Sequence, residues 1–143
     1  MDKLLYVLCG LTPAKGATHS PVQVQKLFFL LDKGLENFMD RPLFNFEPYD
    51  YGPFDQDVYH TLEKLAGEGL VEIDIESHGR WNTYILTPEG QQRGNELLKK
   101  LPDEVQRFIR NVSEFVRKLS FAQLVSAIYK AYPEMKVNSV FKD

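Results

Sequence analysis

The sequence predicts an α+β fold, mainly helical: a winged-helix-like core, a two-stranded β-hairpin wing and C-terminal helices. Apolar residues recur at helical spacing through most of the 143 residues, and two Ser-x-x-Gln boxes mark helix starts. One stretch, Leu70 to Glu76, alternates apolar and acidic residues and runs into a Gly-containing turn, the pattern of a hairpin. The order helix, helix, short extended piece, helix, hairpin is that of a winged helix-turn-helix.

Residues 2–11 read as a short helix capped by Asp2, with Leu4, Leu5, Leu8 and Leu11 on one face. Pro13 and Gly16 make 12–19 a loop. Ser20-Pro21-Val22-Gln23 then opens a helix, with Ser20 as cap, Pro21 at the first position and Gln23 closing a capping box. It is expected to run to about Met39 with Val24, Leu27, Phe28, Leu31, Leu35 and Phe38 buried, which makes it the central helix. Phe44 to Tyr51, aromatic and containing Pro48, reads as an extended segment or edge strand. Gly52-Pro53 reads as a sharp turn into a helix over 54–68, with Asp55 and Asp57 in its first turn and Gly67 and Gly69 at its end.

In the hairpin, Val71, Ile73 and Ile75 share one face and Leu70, Glu72, Asp74 and Glu76 the other. Residues 77–82 form the turn, and Thr83 to Thr87 the second strand. Thr87-Pro88-Glu89 opens another helix, ending near Leu101 and weakened by Gly90 and Gly94. From Pro102, a helix carries the stripe Val105, Phe108, Ile109, Val112, Phe115 and Leu119, with Arg107, Arg110, Arg117 and Lys118 mostly outside it. Ser120 and Gln123 form the second capping box, opening a helix through Phe121, Leu124, Val125, Ile128 and Tyr132 that Pro133 stops. The whole length, 1–143, fits one domain, with the winged core over about 1–87 and a helical extension over about 88–143.

The lone Cys9 lies in an apolar run and reads as a buried core thiol, with nothing to indicate an oxidising compartment. The N-terminal apolar run is too short for a bilayer, and Asp2 with no small-residue cleavage site speaks against a signal peptide. A cytoplasmic protein without membrane attachment is expected. The net charge of −3 divides unevenly: residues 1–87 hold seven Lys/Arg against thirteen Asp/Glu, residues 88–143 ten against seven.

Val24-Gln25-Lys26-Leu27-Phe28-Phe29-Leu30 resembles the "LQKLLYL" helix of the Panacea (SocA-like antitoxin) domain and its YwgA-like relatives. Tyr51-Gly52-Pro53-Phe54 followed by Val58-Tyr59 resembles their "YGP…VY" turn and helix. Glu68-Gly69-Leu70-Val71 is similar to their "GLI" strand entry, and Leu86-Thr87-Pro88-Glu89-Gly90 to their "LTxxG" close of the hairpin. The order and spacing agree over about residues 20–95, and Tyr132-Pro133-Glu134 has a YwgA-like look, the nearer branch. The resemblance implies a helical domain around a winged core. It also implies a role in direct binding of a protein, since antitoxin members neutralise toxins that way and an adaptor role in proteolysis is known among them.

Three functional readings follow. The first is a cytosolic protein-interaction module, antitoxin-like or adaptor-like, whose partner is a toxin or other effector protein. Phe44, Phe46, Tyr49, Tyr51, Phe54 and Tyr59 crowd around one turn, and aromatics are enriched at interface hot spots. The surface it points to joins Tyr51, Gly52, Pro53, Phe54 and Tyr59 to the wing residues His78, Arg80 and Trp81. The second is a winged-helix DNA-binding regulator. Its reading helix, 54–68, carries Asp55, Asp57, Glu63 and Glu68 against Lys64 alone, a charge that phosphate repels. Only Arg107, Arg110, Arg117 and Lys118 offer a basic surface. The third is a subunit of a phage-defence or mobile-element system. A homodimer through the tail helices stays open.

No catalytic, metal or cofactor site is expected. His19, His60 and His78 fall in different elements without metal-ligand spacing. Asp74 and Glu76 lack the lysine that a nuclease strand usually adds and read as an exposed strand face. Glu47 and Asp50 flank Pro48 as turn carboxylates, and no glycine-rich phosphate loop is present.

Overall fold

The computed structural model describes residues 1–141. The elements are α1 (Lys3–Leu11), α2 (Pro21–Gly34), β1 (Glu47–Tyr49), β2 (Gly52–Phe54), α3 (Gln56–Gly67), β3 (Val71–Ile75), β4 (Asn82–Leu86), α4 (Pro88–Lys99), α5 (Asp103–Lys118), α6 (Phe121–Ala131) and a 3₁₀ turn, Pro133–Lys136. The fold is α+β and mainly helical, with two small antiparallel sheets, β1–β2 and β3–β4. Among the described residues no helix is long and apolar enough to cross a membrane.

The helix starts follow from their caps. Asp2 accepts from the Leu5 backbone N–H at 2.9 Å. Ser20 and Gln23 exchange hydrogen bonds at 3.2 and 2.9 Å, and Ser120 and Gln123 do the same. Each box supplies acceptors to amides that a first helical turn leaves unpaired.

α2 is the hub. Val24, Leu27, Phe28 and Leu31 are fully buried, as are Val7, Cys9, Val58, Leu62 and Leu65 from α1 and α3. The C-terminal helices complete this core rather than extending it. Leu98, Val105, Ile109, Val116, Leu124, Val125, Ile128 and Tyr129 belong to the same buried cluster.

α2 is shorter than its apolar spacing suggests. It ends at Gly34, and the amides of Phe38 and Met39 both fold back onto the Leu35 carbonyl. That turn swings Phe38 off the buried face, leaving it exposed. Gly52-Pro53 is likewise not a turn into the helix: 52–54 form a strand paired with 47–49, the turn lies at Asp50-Tyr51, and Asp55 is the cap of α3 rather than part of its first turn. On α5 the buried line is Val105, Ile109, Ser113 and Val116, while Phe115 is exposed. Of the expected stripe, Val105 and Ile109 are buried and Phe108, Val112 and Leu119 pack half-buried against the core; Phe115 is the exception, its neighbour Val116 facing inward instead. On α6, Tyr129 is buried and Phe121 exposed.

β3 and β4 pair in register Val71↔Leu86, Ile73↔Tyr84 and Ile75↔Asn82. Only the base of this wing meets the core: Val71 is buried, Ile73 half-buried and Ile75 exposed. A third segment ties the wing to the body, since the His19 and Tyr84 backbones exchange hydrogen bonds at 2.8 and 3.0 Å.

Two close approaches give testable consequences. Gly90 lies where α4 crosses the entry to β3, and a Cβ there would sit 1.9 Å from the Leu70 carbonyl oxygen. In a free helix Gly→Ala gains about 1 kcal/mol. Here Gly90→Ala is expected to reverse that sign and lower stability by roughly 1–3 kcal/mol through overpacking, measured by urea denaturation.

His19 is 1% exposed, and neither ring nitrogen has a hydrogen-bond partner among the described residues. Burial first, and the Arg117 charge second, pull its imidazole down to about 4. The unfolded chain therefore binds this proton more tightly. The stability contribution is present above pH 6.5 and is lost as pH falls through about 4. His19→Leu keeps the backbone pairing with Tyr84 and removes the unpaired ring. It is expected to raise stability at pH 7 by roughly 1–3 kcal/mol and to flatten the loss between pH 6.5 and 4, read from denaturation midpoints across that range.

Candidate functional site

The site is built where α2 meets the β1–β2 turn. Gln25 and Lys26 interrupt the apolar run of α2, yet both are buried. The Gln25 side chain acts on β2 as a neighbouring strand would. Its Nε2 donates to the Asp55 carbonyl at 3.0 Å, and its Oε1 accepts from the Asp55 N–H at 2.9 Å. Lys26 Nζ donates to the Pro53 carbonyl at 3.3 Å. Asp55 passes the constraint on, its carboxylate accepting from the Asn45 and Asp57 amides at 2.7 and 2.9 Å and so capping α3.

Gly52 is required twice over. Its φ of +103° is a conformation that a side chain disfavours. A Cβ there would also lie 3.2 Å from the Tyr129 ring and 3.6 Å from Lys26 Cε. From the other side, the tail braces the turn: Asn138 Nδ2 donates to the Pro48 carbonyl at 3.2 Å, and the Val140 amide to the Asp50 carbonyl at 2.9 Å.

A row of rings runs from this turn to the wing. Tyr49 stacks on Phe54 at 5.0 Å, Phe54 meets Tyr59 edge-on at 5.8 Å, and Tyr59 lies parallel to Tyr84 at 6.2 Å. Tyr51 packs separately, edge-on to Phe121 at 5.1 Å. Between the α2 start and the turn is a groove of about 260 Å³, lined by Pro21, Val22 and the buried Lys26 of α2 and by Tyr49, Tyr51 and Tyr59.

The sequence candidates divide accordingly. Tyr51 is 43% exposed and Phe54 and Tyr59 are half-buried, so these side chains reach the groove. Gly52 and Pro53 are buried, and Gly52 lines the groove with its backbone. His78, Arg80 and Trp81 are exposed at the wing tip, where the Arg80 guanidinium lies 4.4 Å over the Trp81 ring and both Arg80 and His78 turn to Glu76. The ring row thus joins the turn and α3 to the base of the wing. Among the described residues no ring contact extends it to Trp81.

The six clustered aromatics also separate. Phe44 is core, Phe46 half-buried, and Tyr49 is the most exposed at 55%. The basic residues of α5 differ in exposure. Arg107, Arg110 and Lys118 are exposed, whereas Arg117 is half-buried and its Nε donates to Ser113 Oγ at 3.3 Å.

Gln25 and Lys26 were not singled out as site residues. The available signal was two polar residues inside an apolar helical run, where each needs a buried partner. A comparable lock holds α1 to α2, with Tyr6 donating to Asp32 at 2.7 Å and the Phe44 amide to the same carboxylate at 3.2 Å. Burial raises the Asp32 carboxyl against the pull of these hydrogen bonds.

The fold and the site together define an α+β, mainly helical protein with two small antiparallel sheets and an aromatic groove that a buried lysine helps to line. No protein-family model matches the chain, and no curated protein matches it.

Burial pulls the Lys26 amine from 10.5 down to about 7, and burial pushes the Tyr59 hydroxyl up to about 12. For Lys26, the unfolded chain again holds the proton more tightly. Its stability contribution is present above pH 10.5 and is lost as pH falls through about 7. With reductively ¹³C-methylated lysines, one resonance is expected to titrate near pH 7, and it should vanish in Lys26→Met. If every lysine titrates near 10, the amine is solvated.

Proposed function

We propose that this protein is a cytoplasmic interaction module that acts by binding a partner protein directly, in the manner of an antitoxin or adaptor. The observation that carries the reading is the exposure of Tyr49, at the end of β1, and Tyr51, in the turn that follows, beside a strand that α2 anchors through hydrogen bonds. Large rings already fixed by a scaffold give up little entropy on binding, and Tyr is enriched at interface hot spots. The resemblance of the 24–30 helix and the 51–59 turn to the Panacea and YwgA-like domains supports the same role.

The charge of α3 supports a protein partner over phosphate. Asp57 and Glu63, with Asp55 and Glu68 at its caps, stand against Lys64, and Asp57 is paired with Lys3 of α1. The wing tip is a second exposed surface. Arg80 stacked on Trp81 presents a planar cation and an indole, both enriched at hot spots.

The test is capture of partners from a lysate of the native cells by immobilised full-length chain. A Tyr49→Ala, Tyr51→Ala double variant alters exposed rings, so it should keep its circular dichroism and melting curve. It is expected to lower partner recovery at least about tenfold. An Arg80→Ala, Trp81→Ala variant is expected to weaken recovery as well. Undiminished recovery by the tyrosine variant would remove the groove from the interface.

A further inference from the structure

We infer that the groove between α2 and the β1–β2 turn is a socket for an acidic side chain of the partner, a Glu or Asp carboxylate seated against the Lys26 ammonium. The inference rests on the protein-binding reading above and names the chemistry of its anchor.

The argument begins with unspent donors. An ammonium has three N–H bonds. Among the described residues Lys26 gives one, to the Pro53 carbonyl at a long 3.3 Å, although the residue is only 3% exposed. No carboxylate offsets its burial: it takes part in no ion pair among the described residues, and burial lowers its proton affinity. Asp50, the acid at the groove, is exposed on the turn and does not pair with it. A buried cation without a counter-ion is costly, and that cost falls when an anion arrives.

Holding the turn does not require the charge. Gln25 already fixes Asp55 through two hydrogen bonds, and one neutral amide could serve the Pro53 carbonyl as well. The charge at position 26 is therefore surplus to the clamp and free to act on a ligand.

The shape agrees. The volume of about 260 Å³ falls below the roughly 300–1,000 Å³ of small-molecule pockets and suits one side chain. Pro21, Val22 and the Tyr49 and Tyr51 rings provide apolar walls for methylenes and a neighbouring ring. Walls that exclude water strengthen a carboxylate–ammonium contact at the buried lysine. Because the partner is read as a folded protein surface, the carboxylate is that of a side chain rather than a chain end.

The test is an NMR titration of the ¹⁵N-labelled full chain with three capped probes. They are an acetylated and amidated Phe-Glu dipeptide, its Phe-Gln counterpart, and acetyl-Phe with a free carboxylate as a chain end. The Phe-Glu probe is expected to shift the Gly52 and Tyr59 amides and to bind at least about tenfold more tightly than Phe-Gln. Lys26→Gln, which keeps a donor for Pro53 without charge, should lose that preference while its spectrum stays dispersed. If Lys26→Gln does not fold, Tyr51→Ala serves instead and should weaken the Phe-Glu probe by a similar factor.

Equal affinity for Phe-Glu and Phe-Gln, a preference that survives Lys26→Gln, or binding by the chain-end probe alone would each overturn the socket. If the Phe-Glu probe fails while wild type still captures a partner through Tyr49 and Tyr51, the socket is wrong and the interaction reading stands. If the tyrosine variant captures as much as wild type, the interaction reading falls and the socket with it.

Discussion

The grip of Gln25 and Lys26 on residues 53–55 is the constraint on which the rest of this molecule depends. Two adjacent polar side chains on one helix pair with the Pro53 carbonyl of the strand and with both backbone groups of Asp55 just beyond it. The strand β2 is too short to hold itself, and an isolated two-stranded ribbon is marginal in water. Anchored to α2, it fixes Asp55 as a cap, and Asp55 in turn sets where α3 begins. The exposed tyrosines, the groove and the acidic helix all take their positions from this one contact.

The same arrangement explains why the site looks polar at its base and aromatic at its rim. Gln25 and Lys26 are almost fully buried on α2, so their polar groups need protein partners. Gln25 is satisfied at both ends of its amide. Lys26 is satisfied in part, and that asymmetry is what separates a clamp from a binding element. His19 shows the opposite case: a ring without a hydrogen-bond partner among the described residues, kept in place by backbone bonds to Tyr84.

Much of the fold was legible in the sequence because its signals are local. The Ser20 and Ser120 boxes, the Asp2 cap, the alternation from Val71 onward and Pro88 at a first helical position each fix an element through neighbours a few residues away. What was not legible depends on distant contacts. At the end of α2, Gly34 lies against the Phe108 ring of α5, where a Cβ would come within 1.9 Å. The pairing of 47–49 with 52–54 requires α2 to be present, and Pro48 and Pro53 conceal it. Gly90 and Gly94 read as weak points of α4, yet each marks a close approach, to Leu70 and to Thr12. Within the site, Tyr51, Phe54 and Tyr59 were found from their clustering. Lys26 was passed over because a lysine in a helical motif says nothing by itself about which way it faces.

The position of Trp81 has a further consequence. It is the chain's one tryptophan, and it stands 41% exposed at the tip of a hairpin whose outer half does not meet the core. Its indole emission is that of a wetted fluorophore in the native state, quenched or shifted by whatever lands on the wing and nearly blind to loosening around Phe28 and Leu62. Interior order is instead reported by the near-ultraviolet optical activity of the packed rings Tyr6, Tyr84 and Tyr129, so the two chromophore classes record different events in the same molecule.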